Sequence, residues 1–579
     1  MGIEKVKGFD YKKIRTWKTP LTPKEYEYCI HDVKIVSECI RRKIAEEGNN
    51  ITEIPLTKTG YVRRYVRNET LKGANRCFYK AAIKSLTLEP DEYIEAKKAF
   101  AGGFTHAALL HSGKEYQNVT SYDFSSSYPS VLIAEKYPMT KGVHVEKISK
   151  KSFEEFMERD DYCCIFTIEI ENVQQIFPCE SYISESRCSE IDGWIQYDEN
   201  GEPKRDKKGR IIKKLPVINN GRVWAAKRIV TDITSVDYQI LKKVYKFDLK
   251  RVAHFYYYQT YYLPTTFVKC ILDFYSKKTE LKDVVGKEVE YMFNKENVNA
   301  LFGMCCTDIV RELIEYDDDW TPPHKMTDEE RADWIARQVA KENEKRGRFL
   351  FYLWGVFCTA FARRNLWTGI FECKTDYLYS DTDSVKIINA DRHKDYFERY
   401  NREVTEKLER AMDYHHLPHE LLRPKTIKGV EKPLGVWDFD GFYLRFKAVR
   451  AKAYMVYGYD KEKKCNDFKM TVAGLSKADA MEYLKTKGDP IKLFQHEMYI
   501  PETYITKDEK GREVVKSATG KLTHTYIDEP FSCEVTDCKN IKAVVAERSC
   551  VHLEDANYHL SLSRSYQDFL LGIRSNEYV

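Results

Sequence analysis

Two aspartates separated by a single residue lie in a short polar segment between two apolar ones. Asp381 and Asp383 belong to Tyr379–Ser384, and the flanking pattern predicts a strand, a tight turn and a second strand. Because strand side chains alternate with a period of two, both carboxylates are expected on the same side of the turn. Like charges held that close repel each other, and a divalent cation commonly stabilises them. An isolated Asp-Thr-Asp is more often an ordinary turn, so a metal site needs support from another segment.

A third carboxylate comes from a distant part of the chain. Asp123 follows an alternating polar and apolar run at residues 117–121, which predicts a strand ending at Asp123 and a new element opened by Pro129. A carboxylate at a strand end can face the hairpin tip of another strand. The three carboxylates therefore predict a site for two Mg²⁺ ions about 3.5–4 Å apart, where one activates an attacking oxygen and the other holds a leaving phosphate.

Residues 267–302 form a basic segment with helical spacing, and its lysines are Lys277, Lys278, Lys282, Lys287 and Lys295. On a helix, Lys295, Asn299 and Phe302 fall at i, i+4 and i+7 and share one face. A lysine there can hold a triphosphate, and an aromatic ring beside it can stack on a base. Gly303 is expected to end the helix or to let another backbone come close. The alternative is a solvated amphipathic helix with a glycine cap.

In this order, the three segments resemble motifs A, B and C of family B DNA polymerases, in the form found in protein-primed polymerases of small bacteriophages. Asp-x-x-Ser-x-Tyr-Pro matches Asp123–Pro129, and Tyr-x-Asp-Thr-Asp-Ser matches Tyr379–Ser384 in full. Lys-x-x-x-Asn-x-x-Tyr-Gly matches Lys295–Gly303, with Phe302 in place of tyrosine. Weaker matches, to a Tyr-x-Gly-Gly linker, a primer-holding segment and the end of the palm, are Phe100–Gly103, Leu434–Trp437, Lys452–Tyr454 and Thr471–Gly474.

The resemblance implies a role for each matching residue. Asp123 and Asp383 would be the principal metal ligands, with Asp381 beside the metals and the primer terminus. The cofactor would be a pair of Mg²⁺ ions, for which Mn²⁺ can substitute. Contacts to the incoming dNTP would come from Lys295, Lys278 (or Lys277), Tyr128, Asn299 and Phe302. Contacts to the DNA primer-template would come from Lys452, Tyr454, Gly102, Gly103, Ser126 and Thr382.

Some of these implied roles are specific. Lys295 would bind the triphosphate, and Tyr128 would pack beneath the sugar and reject a 2′-OH. Asn299 and Phe302 would line the nascent base pair. Lys452 with Tyr454 would hold the primer strand, whereas Gly102 and Gly103 would let the backbone approach the template.

The residues by themselves indicate a metal-dependent enzyme that acts on phosphates, and they do not separate a polymerase from a nuclease. The resemblance implies a DNA-directed DNA polymerase of viral DNA replication, in which the primer 3′-OH attacks the α-phosphate of a dNTP. The alternative is a catalytically silent, polymerase-derived DNA-binding or scaffold subunit, although a scaffold has no use for repelling acids at a turn. A reverse transcriptase is disfavoured, because the turn lacks adjacent aspartates.

Length and composition limit the possible domain organisation and the possible partners of the chain. A chain of 579 residues exceeds one ordinary core and should divide into several subdomains. Its 94 basic and 89 acidic residues give a net charge of +5, so the charge must be segregated if DNA is the partner. No apolar run approaches the about 18–20 residues of a membrane span, and the first residues lack the apolar core of a signal peptide. We expect a cytoplasmic protein without a membrane partner, in a bacterial host if it is viral.

The 16 cysteines are scattered, and no Cys-x-x-Cys occurs among them. A zinc cluster of Cys533, Cys538, His524 and His552 is conceivable, but its spacing is poor. Reduced, mostly buried thiols are therefore expected.

The motif positions predict an α+β, right-hand polymerase fold, with a palm of antiparallel sheet backed by helices, helical fingers, a small thumb and two insertions. The predicted boundaries are 1–70 for a remnant of an RNase H-like exonuclease domain, 71–138 and 350–475 for the palm, 263–305 for the fingers, 139–262 and 306–349 for the insertions, and 476–579 for the thumb and tail. Polar residues 198–210 predict a long hairpin or mobile loop. By resemblance, the first insertion contacts a terminal (priming) protein.

The second insertion departs from the family pattern. Thr327 followed by acidic residues is predicted to cap a helix, whereas the family has a β-hairpin that encircles DNA. This difference argues against strand displacement and high processivity; the alternative is that the segment is only a surface helix.

Tyr28 and Asp32 resemble the third exonuclease motif, Tyr-x-x-x-Asp on a helix. The family's first two motifs lie well upstream, and the 27 residues before Tyr28 contain no Asp-x-Glu. Three explanations remain: a separate polypeptide completes the domain, the domain was lost, or the sequence is trimmed. A split domain would leave the helix at 26–44 short of cover and predicts a partner chain. In each case this chain alone is not expected to proofread, because that reaction needs several carboxylates around two metals.

Overall fold

The computed structural model describes residues 20–47, 54–55, 57–74, 76–108, 110–196, 202–206, 209–211, 215–310, 327–460, 463–472, 475–495, 498–501, 503–507, 511–517 and 558–559. Its helices are α1 Pro23–Glu47, α2 Lys58–Lys72, α3 Arg76–Ser85, α4 Pro90–Ala99, α5 Ser127–Ala134, α6 Lys150–Met157, α7 Ser235–Val244, α8 Thr265–Glu280, α9 Glu288–Cys305, α10 Asp328–Glu344, α11 Tyr352–Cys373, α12 Lys394–His415, α13 Lys477–Lys487 and α14 Pro490–Leu493. Its strands are β1 Thr105–Ala107, β2 Glu115–Phe124, β3 Tyr137–Pro138, β4 Val143–Val145, β5 Tyr162–Gln175, β6 Cys188–Asp192, β7 Val217–Asn219, β8 Arg222–Thr234, β9 Tyr245–Tyr261, β10 Tyr377–Asp381, β11 Ser384–Ile387, β12 Trp437–Arg450, β13 Ala453–Asp460, β14 Cys465–Val472, β15 Tyr499–Ile500, β16 Thr503–Lys507, β17 Glu513–Ser517 and β18 Tyr558–His559.

The chain divides into two units. The larger contains residues 61–311 and 326–467, and the smaller contains residues 1–60, 312–325 and 468–579. The smaller unit holds α1 and the hairpin of β16 and β17, in which Thr503 pairs with Ser517. Both predicted carboxylate segments lie in the larger unit.

The larger unit contains an antiparallel sheet in which the strands run in the order β1-β10-β11-β2-β12-β13. This order brings β2, which carries Asp123, beside the hairpin of β10 and β11. Four of the five residues of β10 and all of β11 are buried, as expected for strands covered on both faces. The predicted palm, an antiparallel sheet backed by helices, is confirmed.

Segment 139–262 forms most of a second antiparallel sheet, with the order β3-β9-β5-β8-β6. Its buried residues Phe166 and Ile229 share one apolar cluster with Phe124 and Val385 of the first sheet. The segment therefore packs directly on the palm core. At the predicted hairpin, Arg205 bridges Ile211, and Asp206 donates its backbone N–H to the Arg210 carbonyl at 2.8 Å.

Helix α11 joins the two sheets. It is apolar around its whole circumference, and Trp354 and Trp367 are fully buried, which is typical of a helix enclosed by other elements. It contacts α5, α7, α9 and β11. Its one fully enclosed ion pair joins Arg363 to Asp237 of α7, with N–O distances of 2.7–3.0 Å, among the described residues.

The basic segment forms two helices, α8 and α9, which pack against each other. The expectation for Gly303 is wrong on both counts. Helix α9 continues to Cys305, and a Cβ added at Gly303 would meet no atom within 4 Å. The expected cap of α10 is confirmed, because Thr327 and Glu330 form a reciprocal capping box.

In the smaller unit, Tyr28 and Asp32 lie one turn apart on α1, as the motif predicts. Tyr28 is buried and Asp32 is half-buried. Tyr26, Val33 and Val36 are 60%, 70% and 59% exposed, so α1 presents apolar side chains to solvent.

Several expectations fall wholly or partly outside the described residues: residues 1–19, residues 198–201, 207 and 208 of the predicted hairpin, Ala473 and Gly474, and the zinc candidates Cys533, Cys538, His524 and His552. Seven described cysteines are buried thiols, in agreement with the prediction: Cys163, Cys164, Cys179, Cys270, Cys305, Cys358 and Cys373. Within the described ranges, no helix is long and apolar enough to cross a membrane.

The buried pair of Arg363 and Asp237 allows a stability test. Arg363→Leu leaves a buried carboxylate without its cation and should lower the free energy of unfolding by about 3–5 kcal/mol. Arg159→Leu breaks the exposed Arg159–Asp161 pair and should cost about 0–1 kcal/mol. Urea unfolding of both variants measures the difference, and equal midpoints would contradict a buried, desolvated pair.

Candidate active site

The structure brings the three predicted carboxylates to one edge of the palm sheet. Asp123 is the penultimate residue of β2 and pairs with Ser384 of β11. The Phe124 N–H donates to the Asp383 carbonyl at 2.8 Å, which ties the end of β2 to the turn between β10 and β11. The predicted strand, turn and strand around residues 379–384 is confirmed, and Asp381 closes β10.

Three residues at this edge have left-handed backbones although none is glycine. The φ angles are 61° at Ser126, 63° at Thr382 and 56° at Lys452. Such conformations are costly for residues with a Cβ and persist where surrounding contacts hold them. One such contact is the hydrogen bond from the Asp383 N–H to the Asp381 carbonyl at 2.7 Å, which closes the turn.

The carboxylates raise one another's pKa values. Burial, together with the neighbouring charges of Asp383 and Asp440, raises the pKa of Asp123 to about 7. Burial likewise raises the pKa of Asp383 to about 6, with help from Asp381. In the described part of the chain, neither Asp123 nor Asp383 forms a direct ion pair. The site therefore contains excess negative charge that a cation would stabilise.

This donor set fits Mg²⁺. Mg²⁺ prefers oxygen ligands, and it is usually held by one or two carboxylates together with substrate phosphates. The described residues contain no group of three or more His, Cys, Asp or Glu side chains arranged as a complete metal cage. Asp123 and Asp383 can therefore supply protein oxygens, while a nucleotide triphosphate supplies others.

Lysines from α8 and α9 face the carboxylates. Lys278 donates to the Ser126 hydroxyl at 2.8 Å. Burial, together with the charges of Lys295 and Lys282, lowers the pKa of Lys278 to about 8. Lys277 instead lies 5.4 Å from the centre of the Tyr65 ring. Of the two adjacent lysines considered for the second phosphate contact, Lys278 is the one that lies at the site.

Helix α9 places the remaining nucleotide-binding candidates. Lys295 and Asn299 are exposed on one face, and Lys295 acts electrostatically on Asp123. Phe302 stacks on Tyr128 of α5, with ring centres 4.0 Å apart and planes 16° apart. Burial raises the pKa of Tyr128, so its hydroxyl stays neutral. The two rings form an apolar wall beside the carboxylates.

The predicted primer-binding residues approach from β12 and β13. The Lys452 ammonium pairs with the Asp381 carboxylate, and its backbone N–H donates to the Tyr379 hydroxyl at 3.0 Å. The Tyr454 ring packs 4.9 Å from that of Tyr379. Lys452 therefore pairs with Asp381, whereas Asp123 and Asp383 have no direct ion pair among the described residues.

The two linker glycines differ in their surroundings. Both are exposed, as a template contact requires, but a Cβ at Gly102 would meet no atom within 4 Å. A Cβ at Gly103 would lie 2.6 Å from Cγ2 of Thr382 and 2.9 Å from its Oγ1. The space at Gly103 is thus taken by Thr382 of the turn between β10 and β11.

Sequence reasoning missed two charged residues behind the site. Lys386 of β11 is 5% exposed, and its ammonium donates to the Ser384 hydroxyl at 2.8 Å. Asp440 of β12 accepts a hydrogen bond from Ser121 at 3.1 Å, and its charge acts on both Asp123 and Lys386. The available signal was a lysine between Val385 and Ile387 in an otherwise apolar strand.

Comparison with known proteins gives a consistent result. Residues 3–334 match the family model described as DNA polymerase type B, organellar and viral. The chain is 23% identical over 462 residues to a DNA polymerase of Bacillus phage Nf and 22% identical over 463 residues to that of Bacillus phage phi29. Each alignment covers 78% of this chain and 63% of the relative, so the chain spans less than two thirds of these curated relatives.

Solved structures show the same fold. The orthorhombic crystal form of phi29 DNA polymerase aligns with a TM-score of 0.53 at 18% identity, covering 88% of this chain and 74% of that one. The phi29 polymerase complex with primer-template DNA and incoming nucleotide aligns with a TM-score of 0.52 at 18% identity, covering 88% of this chain and 75% of that one. The predicted α+β polymerase fold is confirmed.

The raised carboxylate pKa values predict a pH-dependent stability. Asp123 keeps its proton in the folded protein up to about pH 7, but loses it near pH 4 when unfolded. The metal-free protein should therefore lose stability as the pH rises from about 4 to 7. Asp123→Asn should raise the free energy of unfolding by roughly 1–3 kcal/mol at pH 8 and leave it unchanged at pH 4. Chemical denaturation at the two pH values measures the difference.

The matched control is Asp161→Asn, at an exposed carboxylate paired with Arg159. Asp161→Asn should not raise the free energy of unfolding at pH 8. An equal gain from Asp123→Asn at both pH values would mean that packing, rather than charge, limits stability at this position.

Proposed function

Because this chain belongs to the organellar and viral type B DNA polymerases, we propose that it is a DNA-directed DNA polymerase of viral replication. Its substrates would be dNTPs and a primer-template, and the primer 3′-OH would attack the α-phosphate with release of pyrophosphate. The phi29 polymerase structures, described as complexes with primer-template DNA and incoming nucleotides, support this choice of partners.

One observation carries the proposal: Asp123 and Asp383 share a sheet edge, and the charges of two lysines, Lys278 and Lys295, act on it. Bound Mg²⁺ ions would activate the primer hydroxyl and stabilise the leaving pyrophosphate. Asp123 and Asp383 would hold those ions, because both lack a direct cationic partner in the described chain. Lys278 and Lys295 would neutralise the triphosphate, which carries the opposite charge.

The remaining residues would orient the substrates. The wall of Tyr128 and Phe302 is apolar and lies beside the carboxylates, where a sugar and base must sit for the α-phosphate to reach them. A ring beneath the sugar excludes a 2′-OH by size. Lys452 would hold the primer strand near Asp381, and exposed Gly102 would let the template backbone approach.

The alternative is a silent, polymerase-derived DNA-binding or scaffold subunit. It would have to retain two repelling, half-buried carboxylates that destabilise the folded chain. A binding protein gains nothing from them, so the enzyme is favoured.

The proposal also includes two protein partners and a cellular location. A terminal protein would bind segment 139–262, which packs on the palm core. A separate polypeptide would pack on α1 and cover the apolar side chains that this helix exposes. Both partners would act in the cytoplasm of a bacterial host.

Asp383→Ala should abolish primer extension by the purified chain with Mg²⁺ and dNTPs. Loss of several kcal/mol of transition-state stabilisation corresponds to a loss of roughly 10³-fold or more. Primer-template affinity in metal-free buffer should change little. Asp391→Ala, at an exposed aspartate, is the matched control and should retain extension. Extension by the Asp383 variant would refute the site assignment, and inactivity of the parent would favour the scaffold.

Tyr128→Val should admit ribonucleotides, because it removes the ring that would fill the space of the 2′-OH. Discrimination between dNTP and rNTP, measured as the ratio of kcat/KM values, should fall roughly 10–200-fold, the range for a steric change in a pocket. Tyr128→Phe keeps the ring and should keep the discrimination. If Tyr128→Val selects dNTPs as strongly as the parent, another residue is the gate.

A further inference from the structure

The turn between β10 and β11 contacts a short segment that leads into β1. We call residues 101–105 the supporting segment. At Gly103, an added Cβ would lie within 3.0 Å of three atoms of the Thr382 side chain. Real Cβ atoms essentially never come that close to neighbouring atoms. The absence of a side chain at Gly103 therefore lets Thr382 pack directly on the supporting segment.

Two hydrogen bonds also join the turn to the supporting segment. The Thr382 N–H donates to the Phe104 carbonyl at 2.7 Å. The Thr105 hydroxyl donates to the Asp381 carboxylate at 3.0 Å, and Thr105 pairs with Asp381 in the sheet. Backbone and side chain of the turn are thus both held by the supporting segment.

The supporting segment is itself anchored in the core. Arg363 of α11 donates to the carbonyls of Ala101 and Gly102, the latter at 2.9 Å. The opposite side of its guanidinium binds Asp237 of α7, and both side chains are nearly fully buried. A guanidinium with a planar set of donors can hold a carboxylate and two carbonyls in fixed positions. Movement of the supporting segment would therefore break buried charge-assisted hydrogen bonds.

We propose that the supporting segment sets the position of the catalytic turn, and that Gly103 is a positioning residue because only glycine leaves room for Thr382. The role concerns the placement of Asp381 and Asp383, in contrast to the template contact that the motif resemblance implies for Gly103. This inference rests on the proposed function, since the turn matters for synthesis only if its carboxylates hold the catalytic cations.

A displaced turn should change metal binding and turnover more strongly than it changes DNA binding. Residues that orient metal ligands typically change metal affinity or activity by roughly 10–100-fold when altered. A displacement of about 1 Å at a reacting centre costs a similar factor. Gly103→Ala should therefore weaken Mn²⁺ binding and lower kcat by roughly 10–100-fold, while primer-template affinity in metal-free buffer stays within about twofold.

The experiment titrates Mn²⁺ into the purified full chain and follows the free ion by electron paramagnetic resonance. Single-nucleotide extension and fluorescence anisotropy of a labelled primer-template are measured beside it. Gly347→Ala is the matched control, because a Cβ there meets no atom within 4 Å and its φ is not positive. That control should match the parent in all three measurements.

A second substitution tests the contact itself. Thr382→Ala removes Cγ2 and Oγ1, the two atoms that would lie closest to a Cβ at Gly103, at 2.6 and 2.9 Å. The double variant Gly103→Ala/Thr382→Ala should then bind Mn²⁺ within about twofold of Thr382→Ala alone, because the two effects share one contact. A double variant that shows the full additional loss would overturn the proposed contact.

Thr105→Val gives an independent variant if Gly103→Ala does not fold. It removes the hydrogen bond to Asp381 at nearly constant volume and should weaken Mn²⁺ binding severalfold, again without change in DNA affinity. Loss of DNA affinity with unchanged Mn²⁺ binding in Gly103→Ala would assign Gly103 to the template and overturn the positioning role. Mn²⁺ titration needs no turnover, so an inactive parent would refute the proposed function while the titration still decides this inference.

Discussion

Repulsion between half-buried carboxylates is the constraint on which the rest of this structure depends. Asp123 and Asp383 come from segments 260 residues apart, and their charges oppose the contact that places them together. Backbone pairing in the palm sheet offsets the repulsion between the two carboxylates, because β2 and β11 pair directly and the Phe124 N–H donates to the Asp383 carbonyl. The backbone therefore sets the distance between the carboxylates before any cation binds. Preorganised charge of this kind is ready to stabilise a cation without rearrangement.

The charges around this pair are divided between two tasks. Lys452 pairs with Asp381, and Lys386 lies buried behind the strands among Asp440 and the site aspartates. These cations limit the cost of concentrating acids at one sheet edge. Lys278 and Lys295 reach the site from helices instead, so their charge is available to an anionic ligand. The arrangement separates charges that support the fold from charges that can bind substrate.

Much of this site could be predicted from sequence, because motif spacing and strand periodicity are local properties. The carboxylate turn, the strand ending near Asp123, the shared face of α9 and the cap of α10 follow from neighbouring residues alone. Long-range pairing was not predictable in this way. Lys386 and Asp440 meet only through strand order, and Gly103 finds Thr382 only through the pairing of β1 with β10. Gly303 failed as a stop signal because packing of α9 in the core outweighs the modest helix cost of one glycine.

The site also shows why a glycine motif can have a meaning that its sequence does not reveal. Gly102 and Gly103 are adjacent and equally permissive in backbone conformation, yet one faces open space and the other faces Thr382. Arg363 donates to the carbonyls of Ala101 and Gly102, and its partner Asp237 belongs to helix α7 of segment 139–262. The turn between β10 and β11 is thereby linked to segment 139–262 through the buried pair of Arg363 and Asp237, a connection that the spacing of the two glycines in the sequence does not reveal.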